Sequence, residues 1–185
     1  MIVLFNKPYG VLTRFTPEPG SRWTQTLADF IELPDVYPCG RLDADSEGLL
    51  VLTDDGRLQA KIARTMAKTY QVQVEGTATE AHCAQLTRGV MLRDGPARAL
   101  AARLLPAHTE PWPRQPPIRV RRQIPTSWLE LVLDQGRNRQ VRRMTAAVGL
   151  PTLRLIRVAV GPWALDGLAP GQWRVWPERV PTNRA

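Results

Sequence analysis

The sequence predicts an α+β fold, and three observations carry that expectation. Short apolar runs and amphipathic stretches of helical period follow one another in mixed order, without the regular βαβ rhythm of a parallel sheet. Of 185 residues, 43% are hydrophobic and 23% charged, the composition of a globular chain with one buried core. Gly and Pro punctuate the chain at short intervals with no internal repeat, which excludes a fibre or a solenoid.

The elements follow in order. Ile2 to Phe5 reads as a strand closed by Asn6-Lys7-Pro8-Tyr9-Gly10, and Val11 to Phe15 as its returning partner. Thr26 to Ile31 carries apolar residues at helical spacing and stops before Pro34. Gly48 to Thr53 is a buried strand by its Leu-Leu-Val-Leu content, bounded by Asp54-Asp55-Gly56; Leu58, Ile62 and Met66 then share one helical face. Tyr70 to Glu75 alternates as a half-exposed strand, and Thr79 caps a helix ended by Gly89. Short strands are expected over 90–105 around Asp94-Gly95. Residues 106–125 hold six prolines and the basic set Arg114, Arg119, Arg121 and Arg122, a long basic loop. Ser127 to Leu133 alternates as a strand. Asn138 is the expected cap of a helix carrying Val141, Met144 and Val148, ended by Gly149, and Leu153 to Val160 is a further strand.

The longest apolar run, Met1 to Phe5, is far shorter than the roughly 20 residues that span a bilayer, and it lacks the flanks of a signal peptide. A cytoplasmic chain without membrane contact is expected. Cys39 and Cys83, with His82 and His108, form no pattern of a disulfide framework or zinc site. The informative number is the net charge of +8. Residues 1–92 carry 9 basic and 11 acidic side chains, whereas 93–185 carry 16 and 6, so the surplus lies wholly in the second half. Arg supplies 22 of the 25 basic residues, and its planar fork suits phosphate and base contacts.

Two constellations carry chemistry. Gly40-Arg41-Leu42-Asp43-Ala44-Asp45-Ser46-Glu47-Gly48 gathers three carboxylates in a loop that opens onto a buried strand, where catalytic groups tend to sit. Asp43, Asp45, Glu47, Gly48 and Asp54 fall at EF-hand positions 1, 3, 5, 6 and 12, but Pro34 and Pro38 forbid the entering helix and position 12 lacks Glu. Asp43 with Asp45 as a glycosidase pair would sit too close to flank a sugar. Taken singly, Asp45, Glu47, Asp54 and Asp55 read as acids that solvate a turn. The second constellation is Gly136-Arg137-Asn138-Arg139-Gln140-Val141-Arg142-Arg143-Met144, and from Gly136 to Val158 there are six arginines and no acid. Arg139, Arg142 and Arg143 are expected on one helical surface, where like charges repel unless phosphate or carboxylate neutralises them. An ionised carboxylate in a filled pocket needs a nearby cation, and the two constellations complement each other in that way.

These residues resemble the RNA pseudouridine synthases, in the branch that modifies ribosomal RNA and includes the small-subunit 16S enzyme. Gly40-Arg41-Leu42-Asp43 with Asp45-Ser46-Glu47-Gly48-Leu49-Leu50 is similar to the family's catalytic motif. Asn6-Lys7-Pro8-Tyr9-Gly10, Lys68-Thr69-Tyr70 and Gly136 to Met144 fit the same family in the expected order. Ile2 to Tyr9, Ile124 to Leu129 and Pro151 to Arg157 further resemble its large-subunit members.

The resemblance implies a mixed, largely antiparallel bent sheet flanked by helices, with an active-site cleft between two halves. It places one catalytic domain at 1–178 and a flexible tail at 179–185. Many relatives carry an RNA-binding domain ahead of the first motif, and none is expected here. The implied reaction breaks the uridine N1–C1′ bond, turns the uracil and rejoins it through C5, with no cofactor and no metal. The uridine belongs to large-subunit (23S) ribosomal RNA, free or in a partly assembled particle, and the enzyme is a monomer. Asp43 matches the essential aspartate, Arg142 its basic partner, with Arg139 as the alternative, and Tyr70 the aromatic that packs on the base. Arg41 is implied to fill the stacking gap or hold flanking phosphates. Lys7, Arg119, Arg121, Arg122, Arg137, Asn138, Arg139 and Arg143 complete the expected RNA contacts. The rival reading is a non-catalytic ribosome-assembly or RNA-binding protein.

Overall fold

A computed structural model describes residues 1–177; the expected tail at 179–185 lies outside the described residues. The chain forms β1 (Ile2–Lys7), a 3-10 turn (Leu27–Asp29), β2 (Tyr37–Pro38), β3 (Glu47–Thr53), α1 (Gly56–Thr65), β4 (Lys68–Glu75) and α2 (Glu80–Arg88). It continues with β5 (Val90–Leu92), β6 (Gly95–Ala97), β7 (Ala101–Leu105), β8 (Thr126–Leu133), α3 (Gln140–Ala147), β9 (Thr152–Val160), β10 (Trp163–Ala164) and β11 (Trp173–Trp176). One sheet runs β11-β1-β3-β9-β4-β8-β7, with β2 on β3 and β10 on β9, while β5 and β6 pair separately. This is the expected α+β class.

The sheet has two antiparallel halves. β3, β1 and β11 pair in one, and β9, β4, β8 and β7 in the other. They meet only where β3 runs parallel to β9, with Glu47 opposite Ile156 and Gly48 opposite Arg157. Gly48 has φ +107°, and a Cβ there would lie 2.2 Å from the Arg157 carbonyl oxygen, so only glycine fits this junction. Beside it Glu47 and Arg154, both almost fully buried, form a two-pronged ion pair at 2.8 and 2.9 Å.

The pleat sends alternate residues to opposite faces. Val3, Phe5, Leu50 and Leu52 pack with Leu27, Ile31 and Leu42, whereas Leu4, Leu49 and Val51 pack with Ile62, Val160 and Trp163. In the second half Val72, Val74, Leu129 and Leu131 meet Leu86 of α2 and Met144 of α3. α1 starts from Asp55, whose Oδ1 accepts from the amides of Arg57 and Leu58, and buries Ile62.

Several local expectations are corrected. Residues 11–15 are not a strand: Val11 makes a single bridge to Gln25, because both edges of β1 are already taken by β3 and β11. Thr26 to Ile31 shortens to one 3-10 turn closed by a Thr26–Asp29 capping box. Asn138 does not cap α3. Arg139 occupies that position with φ +50°, and the Gln140 side chain accepts from the Arg137 amide instead. Glu47 is no turn acid but the buried first residue of β3. β2, β10 and β11 are additional to the elements read from the sequence.

Lys7, expected to bind RNA, is fully buried at the end of β1. Its Nζ donates to the carbonyls of Pro8 and Val11, both at 2.9 Å, and lies 3.4 Å from that of Ala44. It therefore ties the 8–11 turn to the 40–47 loop and presents nothing to a ligand. Burial pushes its amine from the ordinary 10.5 down to about 7, against the opposing pull of Glu47 and Asp45.

Arg154→Met leaves Glu47 buried without its cation and is expected to cost about 3–5 kcal/mol in urea unfolding, more than the joint Glu47→Leu/Arg154→Met change. For Lys7, the unfolded chain holds the proton between pH 7 and 10.5 while the folded one does not. Stability should fall as pH drops from 10.5 toward 7, and urea midpoints of Lys7→Met across that window should lack this component of the slope.

Candidate active site

The 40–47 loop joins β2 to β3 and is held from three directions. From the first half, the Gly10 amide donates to the Ala44 carbonyl at 2.7 Å, and the Thr13 hydroxyl bonds the Leu42 carbonyl. From β9, Arg157 donates to the carbonyls of Leu49 at 2.8 Å and Arg41 at 3.2 Å. From α3, Arg142 donates to the Asp45 carbonyl at 2.9 Å and the Ser46 hydroxyl at 3.3 Å. Leu42 anchors the loop in the core. Asp43 is thereby fixed with its side chain 29% exposed.

Asp43 faces a cavity of about 450 Å³, the size of a small-molecule site, whose walls include Tyr70, Leu133, Leu155 and Gln140. Tyr70 lies at a register shift where β4 meets β9, half in the core and half on this wall. A second cavity of about 610 Å³ shares Arg41, Leu42, Asp43 and Arg139 with the first, and is bounded on its other side by Arg14, Arg22 and Trp23. The chemistry open to such a site is that of an ionised carboxylate between an aromatic wall and an arginine rim.

Arg139, the alternative partner, makes the ion pair to Asp43, from Nη1 to Oδ2 at 3.4 Å. Its fork is closed on Asp45, at 3.0 and 2.9 Å. Arg142 lies 3.6 Å from an Asp45 carboxylate oxygen and makes no ion pair with Asp43. Partial burial pushes the Asp45 carboxyl up, but the hydrogen bond from Arg139 and the charges of Arg142 and Arg139 outweigh it and hold the group below the ordinary carboxylate range.

The other expected RNA-binding residues divide by what already holds them. Arg137 and Arg143 both turn to Asp94, Arg143 bidentately at 2.7 and 3.0 Å, and clamp α3 to the β5–β6 hairpin. Arg137 also donates to the carbonyls of Gly95 and Pro96. Asn138 lines the cavity and accepts from Arg143 through its carbonyl. Arg119 and Arg121 pair with Glu75 at 3.4 and 3.2 Å but remain half exposed. Arg41 is exposed beside Asp43, and Arg122 is exposed with no partner among the described residues.

The 106–125 segment has no regular element, as expected, yet it is not free. The Trp112 indole donates to Glu47 at 2.9 Å, and Glu110 and the Trp112 carbonyl each accept from Arg154 at 2.8 Å. Arg114 stacks on Tyr9 at 4.3 Å. Sequence reasoning missed Glu47, Arg154 and Trp112, which attach the basic loop to the strand that leaves the site; the available signals were a Glu at the head of one apolar strand and an Arg inside another. Among the described residues, no helix is long and apolar enough to cross a membrane.

Comparison with known proteins agrees with this arrangement. A family profile described as RNA pseudouridylate synthase matches residues 1–147. Curated relatives called ribosomal large subunit pseudouridine synthase E include one from Xanthomonas axonopodis pv. citri (strain 306), 58% identical over 175 residues, covering 92% of this chain and 90% of the relative. Another, from Vibrio vulnificus (strain CMCP6), is 51% identical over 176 residues, covering 94% and 74%. A crystal structure of a pseudouridylate synthase superposes with a TM-score of 0.70 at 26% identity, over 94% of this chain and 68% of that one. With the profile spanning most of the chain, and relatives of more than half identity along nearly all of it, this chain belongs to the RNA pseudouridylate synthase family.

Proposed function

We propose that the chain isomerises a uridine of large-subunit (23S) ribosomal RNA to pseudouridine, acting as a monomer in the cytoplasm, with Asp43 as the essential carboxylate. The observation that carries the proposal is the placement of Asp43 on a loop tied down from three sides, facing a cavity walled by Tyr70 and rimmed by arginines. The named relatives supply the substrate class.

The reaction begins with extrusion, because C1′ and C5 are out of reach in a stacked helix; unstacking costs a few kcal/mol. The cavity beside Asp43 accepts the base against the Tyr70 ring, and Arg41, exposed at its mouth, fills the vacated stack or holds a flanking phosphate. Asp43 acts at the ribose or the base in its ionised form. Cleavage of the N1–C1′ bond frees the uracil, which turns within the cavity and bonds to C1′ through C5; the C5 proton leaves to solvent and N1 takes one up, so the product is an isomer of the substrate. Arg142 keeps the loop in place through the Asp45 carbonyl and Ser46. Arg122, Arg41 and the half-exposed Arg119 and Arg121 bind phosphate.

Deleting the gene should remove one or more pseudouridines from a map of 23S ribosomal RNA, and Asp43→Asn should fail to restore them. An unchanged map selects the non-catalytic RNA-binding alternative, and released uracil without isomerised product selects a glycoside hydrolase. Arg122→Gln should weaken RNA binding and flatten the plot of log affinity against log salt by about 0.7 per lost phosphate contact on a single strand, with turnover at saturating RNA retained.

A further inference from the structure

The second cavity beside Asp43, of about 610 Å³, is large enough for a nucleotide, and the target base, set against Tyr70 in the first cavity, does not fill it. The two cavities share Arg41, Leu42, Asp43 and Arg139, so a strand whose target enters the first passes its neighbouring nucleotide over Asp43 into the second. The far wall is an excursion of the chain rooted at two points. Leu12 donates to the Gln25 carbonyl at 2.9 Å, and Leu27 to that of Arg14 at 2.8 Å. Within it the Trp23 amide donates to the Ser21 hydroxyl at 3.1 Å, and the half-buried Trp23 indole lies outside all three apolar cores. Tyr9 fixes the orientation of that indole by meeting it edge-on, at 5.4 Å and 86°, and Tyr9 is itself covered by Arg114 of the basic loop at 4.3 Å. Over the indole sits the Arg22 guanidinium, 4.4 Å from the ring centroid. A planar cation stacks where a base can stack. Arg22 is exposed and has no hydrogen-bond or ion-pair partner among the described residues, so only the ring holds it there.

We propose that this cavity is a subsite for the nucleotide next to the target uridine, its base stacked on Trp23 in place of the Arg22 guanidinium and its phosphates met by Arg22 and Arg41. The subsite rests on the reading of Asp43 and the Tyr70 cavity as the place where the target reacts. The charges of the cavity suit such an occupant. Its acids are already matched, Glu18 by Arg14 and both Asp43 and Asp45 by Arg139. Arg22 and Arg41 are the two cations of its lining without an ion-pair partner among the described residues, and both are exposed. A flat apolar face flanked by uncommitted cations is the pairing that holds single-stranded nucleic acid, with the base on the ring and the backbone along the charge. Stacking on the indole offsets part of the cost of drawing the target out of its helix. With the neighbouring base on Trp23, the phosphate that links it to the target passes Arg41, which stands at the boundary of both cavities. Stacking reads no base edge, so the subsite fixes the course of the strand and tolerates any base there.

The test measures single-turnover tritium release from large-subunit ribosomal RNA whose uridines are tritiated at C5, taken from cells lacking the gene and titrated with excess enzyme. Trp23→Leu keeps apolar bulk against Tyr9 but loses the flat face. It should raise the half-saturating enzyme concentration about fivefold or more, with a smaller loss in the limiting rate, while Trp23→Phe should stay within about threefold of the parent. A tryptophan that only supports the loop gives the opposite split, a lower limiting rate at an unchanged half-saturating concentration. Arg22→Gln should flatten the plot of log affinity against log salt by about 0.7. A second arm uses RNA assembled by ligation, in which the nucleotide on one side or the other of the target lacks its base. For one of the two sides the parent should weaken about as much as Trp23→Leu does on intact RNA, and the two changes together should weaken binding by no more than about twofold beyond either alone. This arm reads the parent protein, so it decides the matter even where Trp23→Leu does not fold. An unchanged half-saturating concentration in Trp23→Leu, or a parent indifferent to the missing base on both sides, overturns the subsite and leaves the Tyr70 cavity as it stands. No tritium release by the parent, or release by Asp43→Asn at the parent rate, overturns instead the functional reading on which the subsite rests.

Discussion

The molecule depends on the seam between its two half-sheets. β3 and β9 are joined over only two residue pairs, and that contact exists because Gly48 has no side chain to strike Arg157. Such a short parallel ladder supplies few hydrogen bonds, so the seam is reinforced by charge. Glu47 and Arg154 face each other in nearly complete burial, and Arg157 reaches across to the carbonyls of Leu49 and Arg41. A buried ion pair is weak evidence for net stability, since desolvation offsets much of its attraction. In the observed register each of the two buried charges has the other as its partner across the seam.

The loop that carries Asp43 runs directly into that seam, which is why its geometry can be narrow. Residues 40–47 hang between β2 and β3, and each wall of the cleft contributes a tie: Gly10 and Thr13 from one half, Arg157 and Arg142 from the other. The same buried pair also accepts the basic loop, through the Trp112 indole on Glu47 and Glu110 on Arg154. One electrostatic feature thus sets the relation between the halves, the exit of the loop that carries Asp43, and the root of the segment that carries Arg119, Arg121 and Arg122.

The surplus positive charge is distributed by the same logic. The stretch from Gly136 to Val158 has six arginines and no acid of its own, yet the folded chain brings Asp94 to Arg137 and Arg143, Asp45 to Arg139 and Arg142, and Glu47 to Arg154. Most of the cluster is therefore architecture, with acids drawn largely from the net-negative first half. Of the arginines expected to contact RNA, those left exposed are Arg41 beside Asp43, Arg122, and the half-exposed pair on Glu75.

The sequence alone determined the elements whose cause is local. Alternation marked β4 and β8, apolar content marked β3, Asp54-Asp55-Gly56 marked the turn ahead of α1, Thr79 marked the start of α2, and the motifs around Asp43 and Tyr70 indicated the family. What failed was whatever another part of the chain decides. Residues 11–15 have strand-like composition, but β1 has no free edge to offer them; Asn138 is a good capping residue, but Arg139 is drawn into a left-handed turn with its side chain on Asp45. Lys7 looks like a cation for RNA, yet burial makes it a tie between two turns. Which arginine meets Asp43 was decided only by the tertiary structure, because an ion pair between residues 96 positions apart depends on the placement of two half-sheets and not on the spacing of charges along either one.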